Sequence, residues 1–125
     1  MTPTVNRSYA LTAPHSIMVS FFKQLEQQFP IDSTKQTIEL RSAIDFASLL
    51  NVHVNYLNRV VKKTTGKTTT QIIAERILVE AKVLLRNTPW EVSKIAYALG
   101  FAQSAHFINF FRKHTALTPL KFRHV

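Results

Sequence analysis

The sequence predicts an all-α protein of about seven helices, arranged as two tandem helix-turn-helix units of the homeodomain-like kind and joined by a long linker helix. Three observations support this prediction. Apolar residues recur at helical spacing, no segment reads as a strand, and two stretches about fifty residues apart repeat each other. The predicted domains are 1–13 as a tail or linker remnant, 14–66 as the first unit, 67–87 as the linker helix and 88–125 as the second unit.

The repeat predicts the two units. Residues 46–52 match 95–101 at a constant offset of 49, and residues 57–68 match 107–118 at an offset of 50. The single extra residue falls in the second turn, where a loop tolerates it. Each half therefore pairs a short helix with a recognition helix.

The matched positions have physical reasons. Ala47 and Ala96 are small where two helices cross closely, and the apolar positions around them recur at helical spacing. Asn51 and Gly100 end the first helix of each pair, where the sharp turn requires a left-handed residue. Glycine accepts that conformation freely, and asparagine is among the few other residues that do.

Start and stop signals define the individual helices. The predicted helices cover about 16–28, 42–50, 54–65, 68–86, 91–99, 103–114 and a short final helix from Pro119. Pro30 ends the first helix, and the pairs Ser42 with Asp45 and Thr68 with Gln71 form capping boxes. Glycine at 66 ends the recognition helix of the first unit.

Charge and composition limit the function classes. Residues 42–125 hold twelve Lys or Arg against four Asp or Glu, a net charge of +8, whereas residues 1–41 have a net charge of +1. The positive charge accompanies the repeat, which favours a polyanionic partner over a role in solubility alone. The absence of cysteine excludes disulfides and thiolate sites. Because no apolar run reaches the ~20 residues of a membrane span and no signal peptide is evident, we expect a cytoplasmic protein without membrane contact.

Two other functions compete with nucleic-acid binding. An enzyme would need catalytic or metal-binding groups, but the five histidines show no paired metal spacing and the two glycines make a phosphate loop improbable. We therefore expect no catalytic residues, no metal and no cofactor. A protein-interaction module built on helix-turn-helix units remains the alternative, although the positive charge argues against it.

An ordered set of motifs resembles the AraC/XylS family of bacterial transcription regulators across roughly residues 16–125. The residues that carry the resemblance are Thr65-Gly66-Lys67-Thr68, Glu80 through Leu85, Val92 through Ala96, Leu99-Gly100-Phe101, His106-Phe107, Phe111-Arg112-Lys113 and Thr118-Pro119 with Phe122-Arg123. The resemblance implies that two recognition helices enter successive major-groove segments of promoter double-stranded DNA. It also implies control of transcription initiation, usually activation through RNA polymerase.

The chain departs from the family pattern at two positions. Ala116 stands where the family usually has glycine, and Ala102 stands where it often has a serine cap. Family members usually also carry an effector or dimerisation domain. We expect the isolated chain to be monomeric, and either a stand-alone regulator or the DNA-binding part of a longer protein.

Base contacts are expected from the recognition-helix faces opposite the core. The predicted base-contact residues are His53, Asn55, Asn58, Arg59, Gln103, Ser104, Ala105, His106 and Asn109. Arg59 can bridge guanine O6 and N7, although a phosphate contact is its alternative. His106 either touches DNA or packs over the turn. The aromatic cluster Phe107, Phe110 and Phe111 is spaced for the helix core rather than for stacking on single strands.

Phosphate contacts are expected from basic side chains and from helix caps. The predicted set is Lys62, Lys63, Lys67, Thr68, Arg112, Lys113, Thr118 and Lys121. For Lys63 and Lys113 the alternative is a solvated face without a contact. Tyr56 either reaches a phosphate or lies in the protein interior.

Overall fold

The computed structural model describes residues 3–125, with side chains described from Ala13 onward. All regular secondary structure in this part of the chain is helical. The helices are α1 (Pro3–Glu26), α2 (Ala43–Leu49), α3 (Val54–Thr65), α4 (Thr69–Asn87), α5 (Val92–Ala98), α6 (Ser104–Thr115) and α7 (Pro119–Arg123). The predicted all-α class and the number of helices are confirmed. Within this described part, no helix is both long and apolar enough to cross a membrane.

The first helix is longer than the sequence predicts. It begins at Pro3 and contains Pro14, whereas the apolar period predicts a start near Ser16. An apolar period indicates where a helix buries one face and not where the helix begins. It therefore does not predict the helical turns of α1 that precede Ser16. Met1 and Thr2, the first residues of the predicted tail, lie outside the described residues.

One compact unit combines the chain up to Gln27 with Ser42–Ile72. Its largest buried side chains come from α1, α2 and α3: Phe21, Leu25, Phe46, Leu57 and Val61. The Phe21 and Phe46 rings meet edge to face, with centroids 5.1 Å apart. The apolar spacing therefore predicted this core correctly, and it fixes α3 against its helix-turn-helix partner α2.

The other compact unit combines Gln28–Arg41 with Ile73–Val125. Its largest fully buried side chains come from α4, α6, α5 and the C-cap of α5: Ile77, Leu85, Phe107, Phe111, Ile95 and Leu99. Phe111 packs edge to face on Phe122 of α7, with ring centroids 5.3 Å apart. The Arg123 side chain donates from Nε to the Leu85 carbonyl oxygen at 2.8 Å, which ties α7 to the end of α4.

The compact units divide the chain differently from the predicted domains at segment 28–41. The sequence places this segment in 14–66, but in the structure it belongs to the second unit. Ile38 donates its N–H to the Ala98 carbonyl at 2.9 Å, and Ile31 donates its N–H to the Glu80 carboxylate at 2.8 Å. These hydrogen bonds join residues far apart in sequence, so no local pattern marks them. The predicted linker is divided as well, because the first residues of α4 belong to the first unit.

The predicted capping boxes are both formed. Ser42 accepts the Asp45 N–H, and the Asp45 side chain accepts the Ser42 N–H. Thr68 accepts the Gln71 N–H at 3.0 Å, and the Gln71 side chain accepts the Thr68 N–H at 2.8 Å. The Thr118 hydroxyl also caps α7 as predicted. These local signals fix where the helices that follow the turns begin.

Four turn residues of the described chain have a left-handed backbone. They are Asn51, Gly66, Gly100 and Ala116, with φ of 61°, 78°, 85° and 66°. The conformation predicted for Asn51 and Gly100 is confirmed. At Gly100 a Cβ would also overlap the Arg41 side chain, so this turn requires glycine for space as well as for backbone freedom.

The recognition helices of both repeats end with the same arrangement of hydrogen bonds. Thr65 and Thr115 close α3 and α6, respectively. Each threonine hydroxyl donates to the carbonyl oxygen four residues earlier at 2.8 Å and accepts the N–H two residues later at 3.1 Å. The residue that follows each threonine is left-handed. The internal repeat is therefore a repeat of backbone geometry and not only of residue types.

Candidate nucleic-acid interface

Helix α3 has a buried apolar face and an exposed polar face. Leu57, Val60 and Val61 are buried. The residues predicted to face DNA are all exposed: His53, Asn55, Asn58, Arg59 and Lys62. The first recognition helix thus has five polar or charged side chains available to a partner.

His53 has a structural role that sequence analysis missed. It is the N-cap of α3, and its Nδ1 accepts the N–H of Asn55 at 3.0 Å. One imidazole nitrogen is therefore engaged in starting the helix, which leaves Nε2 as the group able to meet a base. Histidine can cap a helix in this way only with Nδ1 unprotonated.

The Arg59 side chain lies beside an aromatic ring. Its guanidinium carbon is 5.6 Å from the Tyr56 ring centroid, within the range of a cation–π interaction. Tyr56 is half-buried, so its ring lies between the interior and the surface. The contact limits the directions that the exposed guanidinium samples without occupying its N–H donors.

Helix α6 offers a less polar surface than α3. Gln103, Ala105, His106 and Asn109 are exposed, and Ser104 is half-buried. The exposure of His106 favours a position facing outward over one packed on the turn. Gln103 is the N-cap, and its side chain makes no capping hydrogen bond.

The phenylalanines of α6 belong to the core. Phe107 and Phe111 are fully buried, as the helical spacing predicts. Phe110 is half-buried between Phe101 and His114, with ring centroids 5.4 Å and 4.7 Å away. None of these three phenylalanines is presented as an open stacking surface.

Asn109 and Arg112 are connected on the surface of α6. The Arg112 Nη2 group donates to the Asn109 Oδ1 atom at 3.4 Å. Asn109 is the repeat counterpart of Arg59. The second recognition helix thus has an amide, partly engaged by an arginine, where the first has a guanidinium.

The predicted phosphate contacts are mostly exposed. The exposed ones are Lys62, Lys63, Lys67, Thr68, Arg112, Lys113 and Lys121, and Thr118 is half-buried. Lys62 donates from Nζ to the Gly66 carbonyl oxygen at 3.1 Å, which holds its ammonium beside the turn before α4. Most of the basic charge thus lies on side chains that solvent, or a polyanion, can reach.

A cleft at the start of α4 contains residues that sequence analysis did not select. We call it the α4 cleft, and the residues that line it are Asn58, Arg59, Lys62, Thr68, Thr69 and Thr70. Thr69 is 1% exposed, and its hydroxyl oxygen has no hydrogen-bond partner. The sequence signal that could have identified Thr69 is the repeat, in which Thr69 corresponds to Pro119.

A family model and several relatives match this chain. Residues 46–124 match the model described as "Helix-turn-helix domain". The "HTH-type transcriptional activator RhaS" of Enterobacter sp. (strain 638) is 34% identical over 77 residues, which is 62% of this chain and 28% of that protein. The protein of the same name from Escherichia fergusonii is 37% identical over 67 residues, or 54% of this chain and 24% of that protein. The chain thus spans about a quarter of these relatives' length.

Solved structures share the fold. The C-terminal domain of AraT, a response regulator from Geobacillus stearothermophilus, has a TM-score of 0.70 at 20% identity, covering 86% of this chain and 83% of that one. A transcriptional regulator with an AraC-type DNA-binding domain from Chromobacterium violaceum has a TM-score of 0.67 at 23% identity, covering 90% and 94%. The DNA-binding domain of AdpA, solved with a target DNA, has a TM-score of 0.67 at 17% identity, covering 86% and 89%.

Proposed function

The chain belongs to the AraC-type helix-turn-helix family, and we propose on this premise that it binds double-stranded DNA sequence-specifically and regulates bacterial transcription initiation. The observation that carries the proposal is the exposed polar face of α3, whose opposite face is buried. A recognition helix needs this arrangement, because its outer side chains must reach base edges while its inner side chains hold it to the domain.

Direct base reading is assigned mainly to α3. Arg59 is the proposed guanine reader, since a guanidinium can bond O6 and N7 together. Asn55 and Asn58 are the proposed adenine readers, because an amide can pair with N6 and N7. His53 contributes through Nε2, the ring nitrogen that its capping role leaves available.

The second recognition helix is assigned a weaker direct reading. Its proposed base contacts are Gln103, Ser104, Ala105, His106 and Asn109. Asn109 is the strongest of them chemically, but its Oδ1 accepts from Arg112. Because this helix has an amide where α3 has Arg59, fewer bidentate contacts are available to it.

Phosphate contacts supply the sequence-independent part of the affinity. The proposed residues are Lys62, Lys63, Lys67, Thr68, Arg112, Lys113, Thr118 and Lys121. Their positive charge favours the DNA backbone and makes binding depend on salt through counterion release.

The proposal includes both recognition helices on one duplex, in successive major-groove segments, and contact of the bound protein with RNA polymerase. Activation is the proposed sign of regulation, which the names of the RhaS relatives support.

Selection of bound duplexes from a random pool tests the proposed function. We expect a motif of two blocks about one helical turn apart, which corresponds to ~10 base pairs. We also expect affinity for the selected duplex to fall steeply between 50 and 200 mM salt, by roughly three orders of magnitude for six phosphate contacts. A pool that yields no motif, with affinity insensitive to salt, would favour the protein-interaction alternative.

A further inference from the structure

We infer that a DNA-backbone phosphate binds in the α4 cleft of the first unit, held by the N-terminus of α4 and by the Thr69 hydroxyl. This inference rests on the proposed DNA binding and assigns it a specific anchor. Neither Thr69 nor Thr70 belongs to the phosphate-contact set that the sequence predicts. All six residues that line the cleft belong to one compact unit.

The helix end supplies oriented N–H groups. α4 is 19 residues long and begins at Thr69. Thr68 precedes the helix, and its hydroxyl caps the N–H of Gln71 at 3.0 Å. The N–H groups of Thr69 and Thr70 occupy the first two helical positions, which have no acceptor within the helix. Such groups, together with the positive end of the helix dipole, bind anions.

The Thr69 hydroxyl indicates an anion independently of the helix end. Its oxygen is buried and has no hydrogen-bond partner, although the residue lines the cleft. Buried polar atoms are nearly always paired, so an unpaired one calls for a specific explanation. A phosphate oxygen seated at the first turn of α4 would accept this hydroxyl together with the free N–H groups.

Positive charge surrounds the cleft. Arg59 and Lys62 line it, and none of its six lining residues is acidic. The hydrogen bond to the Gly66 carbonyl holds the Lys62 ammonium beside the turn before α4. An anion in the cleft thus meets oriented dipoles and two cations. The anion that fits these groups is a DNA-backbone phosphate. Arg59 and Lys62 both lie on α3, so when Arg59 contacts a base, phosphates of the same duplex lie close to α3.

The second repeat lacks the two donors that Thr69 supplies. Pro119 corresponds to Thr69, and proline has neither an N–H nor a hydroxyl. Helix α7, which begins at Pro119, is only five residues long. The phosphate anchor therefore belongs to the first repeat alone, and replacing Thr69 by proline reproduces the second repeat at this position.

Two substitutions of Thr69 test the inference in the full chain. Thr69→Val keeps the side-chain shape and removes the hydroxyl, whereas Thr69→Pro also removes the N–H at a position that accepts proline. We expect Thr69→Val to lower affinity for the selected duplex about ten-fold, the loss of one hydrogen bond to a charged group, and Thr69→Pro to lower it further. Thr64→Val, at an exposed threonine on α3, is the matched control and should leave affinity unchanged.

Stability separates binding from folding. Because the hydroxyl is buried without a partner, Thr69→Val should unfold at the same or a higher urea concentration than the wild type while binding DNA more weakly. A purely structural threonine would not give these opposite effects. Weaker binding accompanied by a matching loss of stability would overturn the inference.

Amide NMR supplies a measurement without substitution. Adding the selected duplex to the wild type should shift the Thr69 and Thr70 amide signals, and millimolar inorganic phosphate should shift the same signals more weakly. If phosphate shifts them and the duplex does not, the site is not a DNA contact and the inference fails. If the wild type binds the duplex with the expected salt dependence but both Thr69 variants match it, the inference fails while the proposed function stands. If no duplex binds the wild type, the proposed function fails first.

Discussion

Replacing Ala116 by glycine should stabilise the second unit. Ala116 is the C-cap of α6, with φ of 66° and a backbone N–H that donates to the Arg112 carbonyl at 2.8 Å. An alanine in the left-handed region brings its Cβ too close to the following carbonyl oxygen. Gly66 occupies the matching position after α3, with φ of 78°. The chain therefore contains the strained and the unstrained version of one turn.

The magnitude follows from two opposing effects. A left-handed L-residue costs about 1–2 kcal/mol, whereas glycine lowers stability by about 0.4–1 kcal/mol through the greater freedom of the unfolded chain. Ala116 is exposed, so its methyl group contributes little burial. We expect Ala116→Gly to raise the free energy of unfolding by about 0.5–1 kcal/mol. Gly66→Ala should lower it by a similar amount, because a Cβ there meets no atom within 4 Å and the cost is confined to the backbone.

Urea unfolding measures both variants. Trp90 is the single tryptophan of the chain and lies in the second unit, so its fluorescence reports the unfolding that Ala116→Gly affects. Far-UV circular dichroism follows the loss of helix in both units, so it also registers the effect of Gly66→Ala on the first unit. With a slope near 2 kcal/mol per molar urea, the midpoint should move up by roughly 0.3–0.5 M for Ala116→Gly. An unchanged or lower midpoint for this variant, or a neutral Gly66→Ala, would refute the assignment of strain to the turn.

Three further predictions concern DNA contacts and packing. Arg59→Ala should cost about 1–3 kcal/mol on the selected site and relax preference at one base pair; a larger loss of specificity from Asn109→Ala in the same selection would reverse the assignment of the two helices. Lys113→Ala should weaken binding to all sequences alike and lower the slope of log affinity against log salt by about one, as a salt titration would show. Glu80→Ala should lower the free energy of unfolding by about 1–3 kcal/mol, since it leaves the Ile31 N–H without its acceptor. Glu80→Gln keeps an acceptor and should cost less in the same urea titration, so equal losses would argue against this hydrogen bond.

Sequence reasoning predicted the elements whose causes are local. The bounds of α3 follow from the apolar period through Leu57 and Val61 and from the stop at Gly66, all within a few turns of chain. The capping boxes also lie within three residues, as Ser42 with Asp45 illustrates. Such signals need no knowledge of the tertiary structure.

The features that sequence reasoning missed depend on distant contacts. In the sequence, Glu80 has the character of a charged residue on an exposed helical face, yet it is only 3% exposed. Its carboxylate accepts the Ile31 N–H and contacts Arg76. Arg76 in turn lies over the Phe29 ring, with its guanidinium carbon 4.0 Å from the centroid. A segment without helical period thereby joins the second unit through partners that no spacing rule connects.

For the candidate site, the sequence predicted exposure better than it predicted contacts. The exposed face of α3 follows from periodicity, and the structure adds that His53 is a cap and that Arg59 lies beside Tyr56. The base and phosphate roles remain predictions. Thr69 was missed because threonine is common at the start of a helix. Only the structure shows that its hydroxyl is buried without a hydrogen-bond partner.

The two repeats share a backbone but not a binding surface, and each difference points the same way. Arg59 in the first repeat corresponds to Asn109 in the second, which replaces five N–H donors and a charge by a neutral amide. Thr69 corresponds to Pro119, which removes a hydroxyl and an N–H donor. Ala116 adds backbone strain to the second repeat at the end of its recognition helix. If Arg59, Asn55 and Asn58 supply the bidentate base contacts, the second repeat contributes chiefly phosphate contacts through Arg112, Lys113 and Lys121, and specificity should be concentrated in the half-site that α3 reads.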